Sequence, residues 1–248
     1  MEIVEIARFL DKQFQKKSYK ELSANNNGSL IESEKCEAYD FDEIVEYIFP
    51  RNKPTSADAM LIRNTNIFLI EFKSGFQRKF SEKNFDQRQC QCEETGAICE
   101  KYAKLLKRNL RNIEKELKSN LFQKASESRW ILEYHFFPEF CKGCEYDKFR
   151  VDYIIVIDKV KENPVDSMEQ IIDEMANIHR TENFYERMEA SVKRLYCESR
   201  FGKKAFYHKV AVCSVQEFKL DFLVCLPTKR RKTNEVQVVG GPNSTVNN

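Results

Sequence analysis

Apolar and polar positions along this chain follow two periods, and the switches between them mark its elements. Ile3, Ile6, Leu10 and Phe14 recur at helical spacing and predict an amphipathic helix over 2–17, after which "NNNGS" at 25–29 breaks the chain. Phe41, Ile44, Val45 and Ile48 share one face of a second predicted helix over 41–49, where Asp40 and Glu43 stand at capping-box spacing and Pro50 follows the end. The stretch "SADAMLIRNTNIFLIEFKSG" at 56–75 predicts two strands, 57–62 and 66–73, joined as a hairpin through the polar turn "RNTN".

From Glu93 to Lys118 the pattern predicts a long helix with Leu106, Leu110, Ile113, Leu117 and Leu121 as its apolar stripe. "WILEYHFF" at 130–137 and "RVDYIIVID" at 150–158 predict strands, the second apolar enough throughout to be buried on both faces. Residues 167–200 follow a helical pattern, and "AFYHKVAVCSVQEFKLDFLVC" at 205–225 predicts one or two further strands. The last segment is short of large apolar residues and rich in turn formers, which predicts one domain over 1–226 and a loose basic and polar tail over 227–248.

Composition narrows the class. A hydrophobic content of 42% over 248 residues is enough to bury a sizeable core. The net charge of only +2 means that affinity for nucleic acid must come from local patches. The start "MEIVEIARFLDKQFQKK" carries acids and a helical period where a secretory signal needs a basic start and an apolar run. No stretch approaches the roughly 18–20 apolar residues of a membrane span. Nine scattered cysteines without export features read as mostly reduced thiols, so the expectation is a cytoplasmic protein without membrane association.

The chemistry lies in the predicted hairpin. In a strand over 66–73, Glu71 and Lys73 point to the same face, and antiparallel pairing brings the Asp58 carboxylate beside Glu71. Two carboxylates on adjacent strands are hard oxygen ligands of the kind Mg²⁺ accepts, with Mn²⁺ as a substitute. A lysine two residues on can orient or help deprotonate a metal-bound water and offset charge on a phosphate under attack. These are the parts for hydrolysing a phosphodiester. Glu-x-Lys alone is a weak signal, because it recurs at Glu116 and Lys118 in a predicted helix and at Glu217 and Lys219 in a predicted strand. What sets 58–73 apart is the order aspartate, hairpin turn, apolar strand, Glu-x-Lys.

Asp58 followed by Glu71-Phe72-Lys73 on the next strand, then a helix and a further apolar strand, resembles the PD-(D/E)XK nuclease superfamily. The resemblance spans about residues 37–158, and Ala57 stands where many members have proline. It implies an α/β fold with a central mixed sheet flanked by helices, a restriction-endonuclease-like core. It also implies Asp58 and Glu71 as metal ligands, the Phe72 carbonyl as a further ligand, and Lys73 as the catalytic lysine. Members often add an acid from the helix before the hairpin. Extending the 41–49 helix back by a turn places Glu37 in that role, with Glu5 of the first helix as the alternative if the helix starts at Asp40.

Lys101, Lys104, Arg108, Arg111, Lys115 and Lys118 advance by three and four alternately, a row about 25 Å long at helical rise that can follow a phosphate backbone. In the superfamily this helix commonly lies beside the active site, which implies that Lys101 or Lys104 reaches a scissile phosphate. "KRRK" at 229–232 reads mainly as a solubilising run. "CKGC" at 141–144 has the spacing of a zinc half-site but lacks a second pair, and His135, His179 and His208 belong to no catalytic pattern. No Gly-rich phosphate loop is present. The expectation is a Mg²⁺-dependent nuclease acting on DNA ahead of RNA, a homodimer if it cuts both strands of a duplex. The alternatives are a catalytically silent nucleic-acid-binding or assembly module and an RNA-directed endonuclease.

Overall fold

The computed structural model describes residues 3–26, 28–74, 100–140, 149–158 and 207–223, together with Ala190. Helix α1 (Ile3–Gln13) buries Ile6 and Leu10, as its period predicts. It is followed by β1 (Lys16–Ser18), the single turn α2 (Tyr19–Leu22), and a two-stranded ribbon of β2 (Ala24–Asn25) and β3 (Gly28–Ser29). Gly28, at φ 109°, supplies the backbone conformation that closes this ribbon.

Strand β4 (Glu37–Asp40) leads directly into α3 (Phe41–Ile48), which Asp40 caps by accepting a hydrogen bond from the Glu43 amide. Lys17 then takes both carboxylates, Asp40 at 2.8 Å and Glu43 at 3.0 Å. Strands β5 (Ala59–Arg63) and β6 (Asn66–Lys73) form the expected hairpin. Arg63 pairs with Asn66, so the turn is Asn64-Thr65, with Asn64 in the left-handed region that asparagine tolerates.

The long helix α4 (Glu100–Ile131) continues well past Lys118. "WILEYHFF" is therefore helical and not a strand: α4 passes through a π-helical turn (Leu132–Phe136) into α5 (Phe137–Phe140). Leu117, Leu121, Ala125, Ser128 and Leu132 are all buried at helical spacing, and the wider π turn re-aims the stripe onto Phe136, Phe137 and Phe140. Strand β7 (Arg150–Ile157) is buried at every position after the first. Strand β8 (Lys209–Ser214) is followed by helix α6 (Val215–Phe222), so the second half of 205–225 is also helical. There Ser214 and Glu217 form a reciprocal capping box, which disposes of the rival Glu217-Phe218-Lys219 as a site. The helical pattern over 167–200 lies outside the described residues apart from Ala190, and the 227–248 tail lies outside them entirely.

The six-stranded sheet runs β1-β4-β5-β6-β7-β8. Its first four strands pair antiparallel, and β6, β7 and β8 are parallel. The fold is thus mixed α/β with helices on both sheet faces. One face carries Met60, Leu69, Tyr153 and Ile155 against α1, α3 and α4, and the other carries Ile70, Phe72, Ile154 and Val156 against Tyr19 and Phe218. Among the described residues no helix is long and apolar enough to cross a membrane.

Candidate active site

The hairpin register runs from Arg63 opposite Asn66 to Ala59 opposite Ile70. One step further sets Asp58 opposite Glu71, both toward the face covered by α4. Asp58 lies just before β5, where its Oδ2 accepts the Phe72 amide at 2.6 Å and its carbonyl accepts the Phe41 amide at 3.3 Å. The Asp58 carboxylate is therefore tied to the backbone between Glu71 and Lys73. Glu71 is wholly buried, and Lys73 sits 2.8 Å from its Oε1. The three residues expected from the sequence are thus brought together at the carboxyl-terminal end of β6, where it runs parallel to β7.

Sequence reasoning missed Lys124. Its Nζ lies 2.9 Å from Asp58 Oδ1 and 2.9 Å from Glu71 Oε2, bridging the two carboxylates. On the same helix face, Asn120 Oδ1 accepts from Lys73 Nζ at 2.8 Å. Glu127 Oε2 takes the Thr55 amide and hydroxyl at 2.5 and 2.8 Å, and Ser128 Oγ accepts the Ala57 amide at 2.9 Å. These residues lie one and two turns apart, so one stripe of α4 reads the whole approach to Asp58. Extending the helical period past Lys118 is the signal that would have placed them beside Leu117, Leu121 and Ala125.

Burial drives the Glu71 carboxyl up to about 7, the Asp58 charge adds to that, and Lys73 and Lys124 pull in the opposite sense. For Lys124, burial works against the charged form, but Glu71 and Asp58 outweigh it and hold its pKa above the usual lysine range. The ion pair from Lys73 leaves Glu71 Oε1 without an aligned hydrogen bond, a buried oxygen with capacity to spare. Two convergent carboxylates with such an oxygen are a donor set that suits a hard cation. Two protein carboxylates leave much of an Mg²⁺ coordination shell to water, and among the described residues no group of three or more His, Cys, Asp or Glu is placed to hold a metal.

Other expectations fall elsewhere. Helix α3 begins at Phe41, so Glu37 does not extend its face. Glu37 is an exposed residue of β4 opposite Ser18, three residues or roughly 10 Å along the strand from Asp40, which pairs beside Asp58 at Ala59. The alternative, Glu5, is exposed on α1. The basic row is also displaced. At about 100° per residue, Lys104, Arg108, Arg111, Lys115 and Lys118 project from the side of α4 nearly opposite Asn120 and Lys124. Arg111, Lys115 and Lys118 line an open depression of about 500 Å³ with Ser119 and Phe122. The row therefore does not border the carboxylates, and the side chain of Lys101 lies outside the described residues.

His135 packs against Trp130 and Phe49, and His208 Nδ1 accepts the Val151 amide at 3.2 Å, so both serve the scaffold. Cys36 is disulfide-bonded, an exception to the expected reduced thiols, while "CKGC" and its candidate partners Cys90, Cys92 and Cys99 lie outside the described residues. No protein-family model matches this chain, and neither does any curated protein sequence or solved structure.

Proposed function

We propose that this chain is a metal-dependent nuclease of the PD-(D/E)XK type that hydrolyses phosphodiester bonds, in DNA ahead of RNA. The observation that carries the reading is the convergence of Asp58, Glu71 and Lys73 at one end of the hairpin, with the Asp58 carboxylate anchored by the Phe72 amide. Asp58, Glu71 and the Phe72 carbonyl would hold Mg²⁺, which supplies Lewis-acid stabilisation of charge on the phosphate when bound. Lys73 is held by Asn120 and Glu71, so its ammonium is preoriented to position the attacking water and to offset negative charge as the new P–O bond forms and the leaving oxygen departs. The cationic face of α4 serves as a remote phosphate contact. Homodimerisation belongs to this reading only where both strands of a duplex are cut.

A second reading, a catalytically silent nucleic-acid-binding module, is favoured by Lys124, which neutralises both carboxylates from within the chain. Cleavage of labelled linear DNA, circular DNA and RNA with Mg²⁺ or Mn²⁺ separates the two. The expected result is metal-dependent cutting that falls by roughly 10²–10³-fold in both Asp58→Ala and Lys73→Ala, the scale of losing a positioned charge-stabilising group. Intact substrates with unchanged binding in all three proteins would select the silent module, and the preferred polymer would decide DNA against RNA.

A further inference from the structure

Lys124 occupies the place between Asp58 and Glu71 that a cation shared by them would take. We infer that Lys124 is the resident cation of the carboxylate pair, and that a divalent ion enters only by displacing it, an inference that rests on the metal-dependent reading above. Charge counting favours the exchange. With both carboxylates ionised, Asp58, Glu71, Lys73 and Lys124 form a balanced set of two negative and two positive groups. A divalent ion added beside both ammonium groups leaves an excess of two positive charges around a fully buried glutamate, and expelling one ammonium halves that excess.

The geometry selects which lysine leaves. Lys73 touches only Glu71 of the two carboxylates and is retained by Asn120 Oδ1. Lys124 touches both and stands where a shared ion would sit. With side-chain exposures of 19% for Lys124 and 21% for Lys73 both have a route to solvent, so position between the carboxylates, not access, singles out Lys124. Its departure does not undock α4, because Asn120, Glu127 and Ser128 keep their bonds to Lys73, Thr55 and Ala57, and Leu117, Leu121 and Ala125 stay in the core. Metal loading and the freeing of a second ammonium at the mouth of the site are then one event. An anionic substrate would meet that ammonium only in the loaded protein.

The test is Mn²⁺ binding by calorimetry to the full chain and to Lys124→Met, Lys124→Gln and Asp58→Asn, with amine-reactive labelling of the wild-type protein read by peptide mass spectrometry. Removing the competing charge should tighten Mn²⁺ on the order of tenfold or more in both Lys124 variants. Saturating Mn²⁺ should raise Lys124 labelling several-fold against exposed Lys115 as the internal reference. Should the variants fail to fold, the wild-type labelling decides alone. Binding that is lost in Asp58→Asn yet no tighter in the Lys124 variants, with Lys124 labelling unchanged, overturns displacement and leaves the metal site standing. Absence of Mn²⁺ binding in the wild-type and Lys124 variants alike overturns the metal reading and displacement with it.

Discussion

Complete burial strips Glu71 of hydration, and Lys73 and Lys124 return only part of that stabilisation, so the folded state holds a proton on this carboxyl up to about pH 7 against an ordinary value of 4.5. The sign follows directly. The stabilising contribution of the protonated group is complete below 4.5 and is lost as pH rises through about 7. Over that window the difference is on the order of 3 kcal/mol. Without divalent ions, the wild-type melting temperature should therefore rise between pH 8 and pH 5.5 relative to Glu71→Gln, whose own profile should lack this slope. Parallel profiles for the two proteins would show that Glu71 ionises as readily folded as unfolded. Asp58, Glu71 and Lys73 were legible in the sequence because strand period and a two-residue turn dictate their register. Lys124 was not, because its role depends on how a helix docks some 50 residues away in sequence from Glu71.

Elements went wrong where one local signal outweighed another. "SVQEFKLDF" alternates enough to read as a strand, yet Ser214 and Glu217 stand at capping-box spacing and Phe218 stacks on Phe222 one turn on, with ring centroids 4.8 Å apart. The same box at Ser18 and Glu21 opens α2. Eight residues from Trp130 onward offer both periods too, and only the upstream stripe from Leu117 to Ser128 shows that the helix simply continues. By contrast β7, buried on both faces, and the hairpin turn at Asn64 carried unopposed signals. In α6 the Ser214 hydroxyl accepts the Glu217 amide at 3.2 Å, and the Glu217 carboxylate takes the Ser214 amide at 2.6 Å. Ser214→Ala should lower stability by about 1 kcal/mol in urea denaturation, the usual scale for an N-cap, with an unchanged m-value. No loss would mean that packing of Phe218 alone sustains the helix.

Across the whole molecule, α4 separates two kinds of surface. One stripe meets the hairpin through Asn120, Lys124, Glu127 and Ser128, and the nearly opposite side presents Arg111 and Lys115 beside Phe122. A net charge of +2 provides little overall attraction for a polyanion, so a local cationic face must supply it if nucleic acid is the substrate. Binding and chemistry are then separable, because nucleic acid gripped at this face reaches Asp58 and Glu71 only by passing around the helix or through another segment. Charge reversal at Arg111 and Lys115 together should weaken nucleic-acid binding about tenfold or more and flatten the plot of log affinity against log salt by roughly 0.9 for each duplex-DNA phosphate no longer neutralised. If the proposed nuclease reading holds, the single-turnover cleavage rate at saturating substrate should stay at the wild-type value, because neither side chain lies on the side of α4 that meets Asp58 and Glu71. A fall in that rate comparable to Lys73→Ala would place the basic row at the scissile bond after all. Unchanged affinity and salt slope would make it the solvated side of an amphipathic helix.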